Sequence, residues 1–125
     1  MDRNELNELS GKIIEIGVRV HKKLGPGFVE KIYEKALEYE FKKEGIRFKK
    51  QAAIKVRYGD LLLGNQRVDF LVEDEIIIEL KAVSMLAKVH EAQMISYLKT
   101  AEKRLGLILN FATGILGIKR VVNKF

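Results

Sequence analysis

The chain has no cysteine, a single proline and only two histidines among its 125 residues. Without cysteine there is no disulfide framework, no thiolate-held zinc, no iron–sulfur cluster and no cysteine nucleophile. Two histidines cannot build a three-histidine metal centre, so any metal has to be held mainly by carboxylates. Long apolar runs are also missing: stretches such as Ile76 to Ile78 and Leu61 to Leu63 fall far short of the ~20 residues of a membrane span. Met1 to Ser10 is too polar for a signal peptide. These absences predict a soluble protein of a reducing compartment, cytoplasmic, with no membrane partner.

What is present is a basic balance, 23 Lys and Arg against 17 Asp and Glu for a formal charge of +6. Such a surplus leans toward a polyanionic partner such as nucleic acid, although solvated lysines alone also produce it. With 47% hydrophobic residues the chain can fill one layered core, and residues 1–125 are read as a single domain. Neither a repeat nor a flexible linker divides it.

Leu9, Ile13, Ile16, Val20 and Leu24 form one apolar stripe at helical spacing and predict a first helix over 9–24. Gly25-Pro26-Gly27 turns the chain, and a second amphipathic helix follows from Phe28 to Lys43, stopped by Gly45. Ile46 to Tyr58 reads as a strand with one wet face. Leu61 to Gly64 and Arg67 to Val72 read as a second strand interrupted near Gly64-Asn65 by a bulge or a second hairpin. The isoleucine run of Ile76 to Lys81 marks the sheet centre, covered on both faces. A helix over 86–104 and strands at Leu105–Phe111 and Ile118–Val122 complete the order ααβββαββ. The class is α/β, a mixed central sheet flanked by helices.

Side chains alternate along a strand, so Glu79 and Lys81 share one face while Ile78 and Leu80 take the other. If the connection after Val72 has three residues, Glu73 to Glu75, Val72 pairs with Ile76 and Asp69 lies opposite Glu79. Two carboxylates then converge beside one ammonium. That arrangement calls for a cation between the acids or a proton on one of them, and Mg²⁺ is the natural occupant. The plainer reading makes Lys81 an interstrand salt-bridge partner of Asp69 or Glu79.

Asp69 followed by Glu79-Leu80-Lys81, after a helical Glu, resembles the PD-(D/E)XK nucleases with their restriction-endonuclease-like core. More closely, Gly27, Glu30 and Tyr33 match the signature of the GxxExxY proteins. Arg67-Val68-Asp69, His90-Glu91-Ala92-Gln93 and Leu107-Ile108-Leu109-Asn110-Phe111 extend the likeness from about Asn7 to Val122. The resemblance implies a Mg²⁺- or Mn²⁺-dependent deoxyribonuclease that hydrolyses phosphodiesters with metal-activated water. By the same resemblance Asp69 and Glu79 would ligate the metal, with the Leu80 carbonyl as a third donor, Glu30 would reach it directly or through water, and Lys81 would be the catalytic lysine. Gln93 and Tyr97 match the QxxxY pattern of the RecB-like branch and share one helix face.

Glu30 also has a structural reading: with Gly27 as N-cap it occupies N3, where a carboxylate suits the helix dipole. His21 is read as a packing or cap residue. Lys22-Lys23, Lys42-Lys43, Lys49-Lys50 and Lys119-Arg120 are candidates for phosphate contacts only if they gather on the face of the site. A core this small, with no clamp of its own, would grip duplex DNA with a second copy or a partner, and a homodimer is one such arrangement. The alternative function is a non-catalytic nucleic-acid-binding or protein-interaction module on the same fold, distinguished by indifference to metal.

Overall fold

The computed structural model describes residues 1–125. Helices α1 (Arg3–Leu24) and α2 (Glu30–Lys43) precede a meander of β1 (Phe48–Tyr58), β2 (Leu61–Val72) and β3 (Ile76–Lys81). Helix α3 (Lys88–Ala101) then crosses to β4 (Leu105–Asn110), and β5 (Gly117–Val122) ends the sheet. The strands lie in the order β1-β2-β3-β4-β5. Only β3 and β4 are parallel, joined by the α3 crossover, and the other neighbours are antiparallel.

The expected element order holds, with shifts at the ends that have local causes. Helix α1 begins six residues before Leu9 because Asp2 and Glu5 form a capping box, each side chain accepting the other's backbone N–H at 2.8 and 3.0 Å. Helix α3 occupies a shorter span than 86–104. It starts after Ala87, whose N–H donates to His90 Nδ1 at 3.0 Å. It stops at Glu102 in the left-handed region (φ 56°), where Lys103 N–H donates to Leu98 O at 2.9 Å. The β2 interruption is a bulge: the strand is continuous, and its register to β1 shifts between Val56 and Arg57, opposite Gly64 and Leu62.

Two cores sandwich the sheet. On one face α1 and α2 bury Ile13, Ile16, Leu37 and Phe41 against Phe70, Ile76, Ile78 and Leu80. On the other, Met94 and Leu98 of α3 pack on Ala52, Ile54, Val68, Ile77 and Ile108. Thus β3 is central and covered on both faces, as its isoleucines predict. Gly106 gives α3 its close approach, since a Cβ there would sit 2.8 Å from Met94 Cγ.

The first two strands change faces midway. Phe48 and Phe70 pack with Phe41 on the α1/α2 side, whereas Ala52 and Val68, of the same parity, pack on the α3 side. A regular pleat cannot do this. The break falls at Gln51, held at φ 52°, and at Asp69 opposite it: Lys50 pairs with Phe70 and Ala52 with Val68, leaving Gln51 and Asp69 unpaired between them. Because β3 pairs only with Phe70–Val72, the rest of the β1/β2 hairpin projects beyond the sheet as an arm. Its tip exposes Tyr58, Leu61, Leu62 and Leu63.

Candidate active site

The connection between β2 and β3 has three residues, with Glu73 and Asp74 at φ 51° and 58° and Glu75 N–H returning to Val72 O at 2.9 Å. The register is therefore Val72 with Ile76, Leu71 with Ile77 and Phe70 with Ile78. One step further the ladder stops. Leu80 N–H donates instead to Asp69 Oδ2 at 2.7 Å, and Asp69 N–H donates to Glu79 Oε1 at 2.9 Å. Backbone donors in a half-buried setting need acceptors, and here the two carboxylates supply them, each reaching across to the other's strand. The acids are fixed where the strands begin to splay.

This geometry leaves Glu79 electrostatically stressed. Burial is the main cause that pushes its carboxyl up to about 7, and the charge of Asp69 adds to it, with a smaller addition from Glu30. The Asp69 N–H and the Lys81 ammonium act in the opposite direction. Lys81 shares the face of Glu79, yet it forms no ion pair with either acid within 4.0 Å, so the interstrand salt-bridge reading does not describe it. Leu80 puts its side chain into the α1/α2 core, 1% exposed, and leaves only backbone groups to the site.

Glu30 enters from α2, but not as the cap spacing predicts. The N-cap is Val29, without a side-chain cap bond, and Glu30 is the first helical residue rather than N3. The reason is tertiary. Tyr33, stacked on Phe111 at 4.4 Å between centroids, donates its hydroxyl to Gly25 O at 2.6 Å and accepts Phe28 N–H at 3.2 Å. That latch shapes the Gly25–Phe28 turn, with Gly27 at φ 115°. Glu30 is exposed and, with Asp69 and Leu80, lines an open cleft of about 460 Å³ whose other walls are Lys31, Glu34, Lys50 and Gln51.

Two of those wall residues were not legible as site residues. Gln51 Nε2 lies 2.7 Å from Glu34 Oε2 and 3.2 Å from Asp69 Oδ1, and Glu34 is 8% exposed with Lys50 at 3.8 Å. From α3, Tyr97 is half-buried, and its phenol is raised first by burial and then by the charges of Glu79 and Asp69. Gln93 is exposed and lines a neighbouring groove between α3 and β1 with Tyr97, Ile54 and Val56. The structure thus gathers Glu30, Asp69, Glu79 and Lys81 in one electrostatic neighbourhood, with Tyr97 at its edge and Gln93 beyond it.

His21 packs beside Phe111 and its Nε2 lies 2.8 Å from Thr113 O. Of the four basic pairs, only Lys49-Lys50 reaches the cleft lining, through Lys50. Lys42 pairs with Glu38 and Lys119 with Glu91 elsewhere.

No three Asp, Glu, His or Cys side chains gather closely enough to cage a metal by themselves. The donor chemistry nevertheless suits a hard divalent cation. Asp69 and Glu79 are close enough for one charge to suppress ionisation of the other, and Mg²⁺ commonly takes one or two carboxylates and keeps its remaining ligands as water.

A family model described as the PD-(D/E)XK nuclease superfamily matches residues 7–121. The chain belongs to the PD-(D/E)XK nuclease superfamily. No curated protein matches it. Among solved structures, this PD-(D/E)XK chain is similar to the crystal structure of SSO0001, with a TM-score of 0.60 and 16% identity over 76% of this chain and 50% of that one. The chain therefore spans about half the length of that protein. At this identity the likeness speaks for the fold, a restriction-endonuclease-like α/β architecture in which the mixed sheet carries the acids on its second and third strands.

Proposed function

We propose that this PD-(D/E)XK domain, comprising residues 1–125 and of the GxxExxY type, is a cytoplasmic Mg²⁺- or Mn²⁺-dependent nuclease that hydrolyses phosphodiesters of DNA. The observation that carries the reading is the pair of carboxylates fixed where β2 and β3 cease to pair, Glu79 accepting the Asp69 N–H and Asp69 accepting the Leu80 N–H, with Lys81 on the face of Glu79. Asp69, Glu79 and the Leu80 carbonyl would hold the cation, and Glu30 would meet it across the cleft. When bound, the cation would supply charge stabilisation and an activated water. Lys81 stabilises charge that develops on the phosphate, Tyr97 donates to a phosphate oxygen, and Gln93 orients the strand from the adjoining groove. Lys31 and Lys50 offer phosphate contacts at the cleft. A second copy meeting this one through the exposed apolar arm tip would complete the grip on a duplex.

The second reading, a non-catalytic nucleic-acid-binding or protein-interaction module, has one observation in its favour. No fully buried side-chain nitrogen or oxygen lacks a hydrogen-bond partner, and both oxygens of Asp69 are already engaged by protein groups, the Leu80 N–H and the Gln51 amide. Metal separates the two readings. Calorimetric titration with Mg²⁺ and Mn²⁺, with DNA cleavage assayed on the same samples, compares wild type with the Asp69→Asn/Glu79→Gln double variant. Binding and cleavage that disappear together in the variant support the nuclease. A folded wild type that binds neither ion at millimolar concentration overturns it in favour of the module.

A further inference from the structure

The geometry points to Gln51 as a positioning residue that aims the Asp69 carboxylate, itself anchored by Glu34 of α2. This inference rests on the divalent-metal reading of the cleft and extends it to residues outside the PD-(D/E)XK pattern. Asp69 has two oxygens and a different strand claims each. Oδ2 takes the Leu80 N–H of β3 at 2.7 Å, and Oδ1 takes the Gln51 amide of β1 at 3.2 Å. The plane of the carboxylate is thereby set from both sides.

Glu34 decides which way round that amide sits. Its carboxylate is 8% exposed and can only accept, so the group 2.7 Å from its Oε2 has to be the Gln51 NH₂ and not the amide oxygen. The NH₂ has two hydrogens and two carboxylates within reach, one for each. Lys50 stands 3.8 Å from the other oxygen of Glu34 and 3.2 Å from Glu38, so the α2 carboxylates and β1 are tied together beside the amide.

The backbone is arranged around the same contact. Gln51 stands at φ 52° between two regularly paired neighbours, a conformation that a glutamine in a strand enters only when its surroundings hold it. Its carbonyl accepts the Arg67 guanidinium at 2.8 Å, from the strand that carries Asp69. Without this kink the pleat would place residue 51 in the ordinary alternation of β1. A metal ligand held by an outer partner loses roughly 10- to 100-fold in metal affinity when that partner is removed. That range sets the expectation for Gln51, with a smaller loss for Glu34.

The experiment uses the full chain as wild type, Gln51→Ala, Gln51→Glu, Glu34→Gln, Asp69→Asn and the Gln51→Ala/Asp69→Asn double variant. Circular dichroism melts first establish that each is folded. Mn²⁺ affinity by calorimetry is expected to fall about tenfold in Gln51→Ala, and at least as far in Gln51→Glu, where a donor becomes an acceptor. Gln51→Ala should add nothing in the Asp69→Asn background. Unchanged Mn²⁺ affinity in folded Gln51→Ala overturns the assignment.

A second readout needs no metal. The side-chain NH₂ signals of Gln51 in a ¹⁵N correlation spectrum of the metal-free protein should move in both Glu34→Gln and Asp69→Asn. If wild type binds no Mn²⁺, the nuclease reading fails, and these signals alone decide the role of Gln51. Movement in both variants upholds the link to Asp69, and indifference to Asp69→Asn overturns it.

Discussion

Asn110 and Val83 are joined at two points: Asn110 Oδ1 accepts Val83 N–H at 3.1 Å and its Nδ2 donates to Val83 O at 2.9 Å. Asn110 is 3% exposed, stands beside Lys81 in the parallel ladder, and also receives Ala112 N–H at 3.3 Å. A single amide thus ties the end of β4 to the segment through which the chain leaves Lys81 for α3. Asn110→Ala leaves these backbone groups short of partners, which costs on the order of 2 to 3 kcal/mol. The expected outcome is a melting temperature lower by roughly 10 °C, with hydrogen exchange accelerated over 82–87 before the rest of the sheet.

Gly106 and Met94 define how closely α3 can approach the sheet. A methyl group at 106 would meet the Sδ and Cγ of Met94, which is 1% exposed and would have to shift within the core. Gly106→Ala is therefore expected to destabilise by about 1 to 3 kcal/mol. Met94→Ala in the same chain should recover part of that loss, because the new methyl fills some of the space that the thioether leaves. Denaturant melts of the two single variants and the double variant check the coupling.

Much of this architecture is legible in the residues, and the failures have a common physical cause. The β2/β3 register follows from strand parity once the connection is taken to have three residues, both local properties, so the meeting of Asp69 with Glu79 was a conditional expectation that the three-residue connection fulfils. The isoleucines of β3 likewise announce a strand covered on two faces. Gln51 could not be read in this way. Lys49-Lys50-Gln51-Ala52-Ala53 contains no glycine or asparagine to mark a positive φ, and what holds the kink is a set of contacts to Glu34, Arg67 and Asp69 from elsewhere in the chain. Glu34 looks like any charged helical position, and only packing reveals it as buried. The start of α2 depends on packing from elsewhere in the chain too, since Phe111 seats the ring of Tyr33, whose hydroxyl fixes the preceding turn.

The Tyr33 latch is testable separately from its ring. Tyr33→Phe keeps the stack on Phe111 but removes the group that donates to Gly25 O and accepts Phe28 N–H. A loss of about 1 to 2 kcal/mol is expected. Faster amide exchange over 25–29 should accompany it, because this turn delivers Glu30 to the cleft. Tyr33→Leu, which loses the stack as well, should be distinctly worse in the same melts.

Glu79 makes the stability of the metal-free protein depend on pH in a direction opposite to most carboxylates. Its folded pKa is about 7, above its ordinary 4.5, chiefly because of burial and the charge of Asp69. The folded chain therefore holds this proton more tightly than the unfolded one. The associated stability is complete below pH 4.5, declines as pH rises from 4.5 to 7, and is absent above that window. Its size is on the order of 3 kcal/mol. Glu79→Gln removes the titration while retaining an oxygen to accept Asp69 N–H. In buffer with a chelator, the variant is expected to gain on wild type steadily from pH 5 to pH 7.5 and to keep a constant lead beyond. Taking the difference between the two proteins in paired urea melts cancels the carboxylates remote from the site, including Glu38, Glu44 and Glu73, which basic or backbone partners hold below the usual range. Saturating Mn²⁺ should then reverse the order at pH 7.5, since a cation between Asp69 and Glu79 relieves the repulsion only in the chain that still carries both charges. A flat difference curve would mean that Glu79 ionises as freely in the fold as in water.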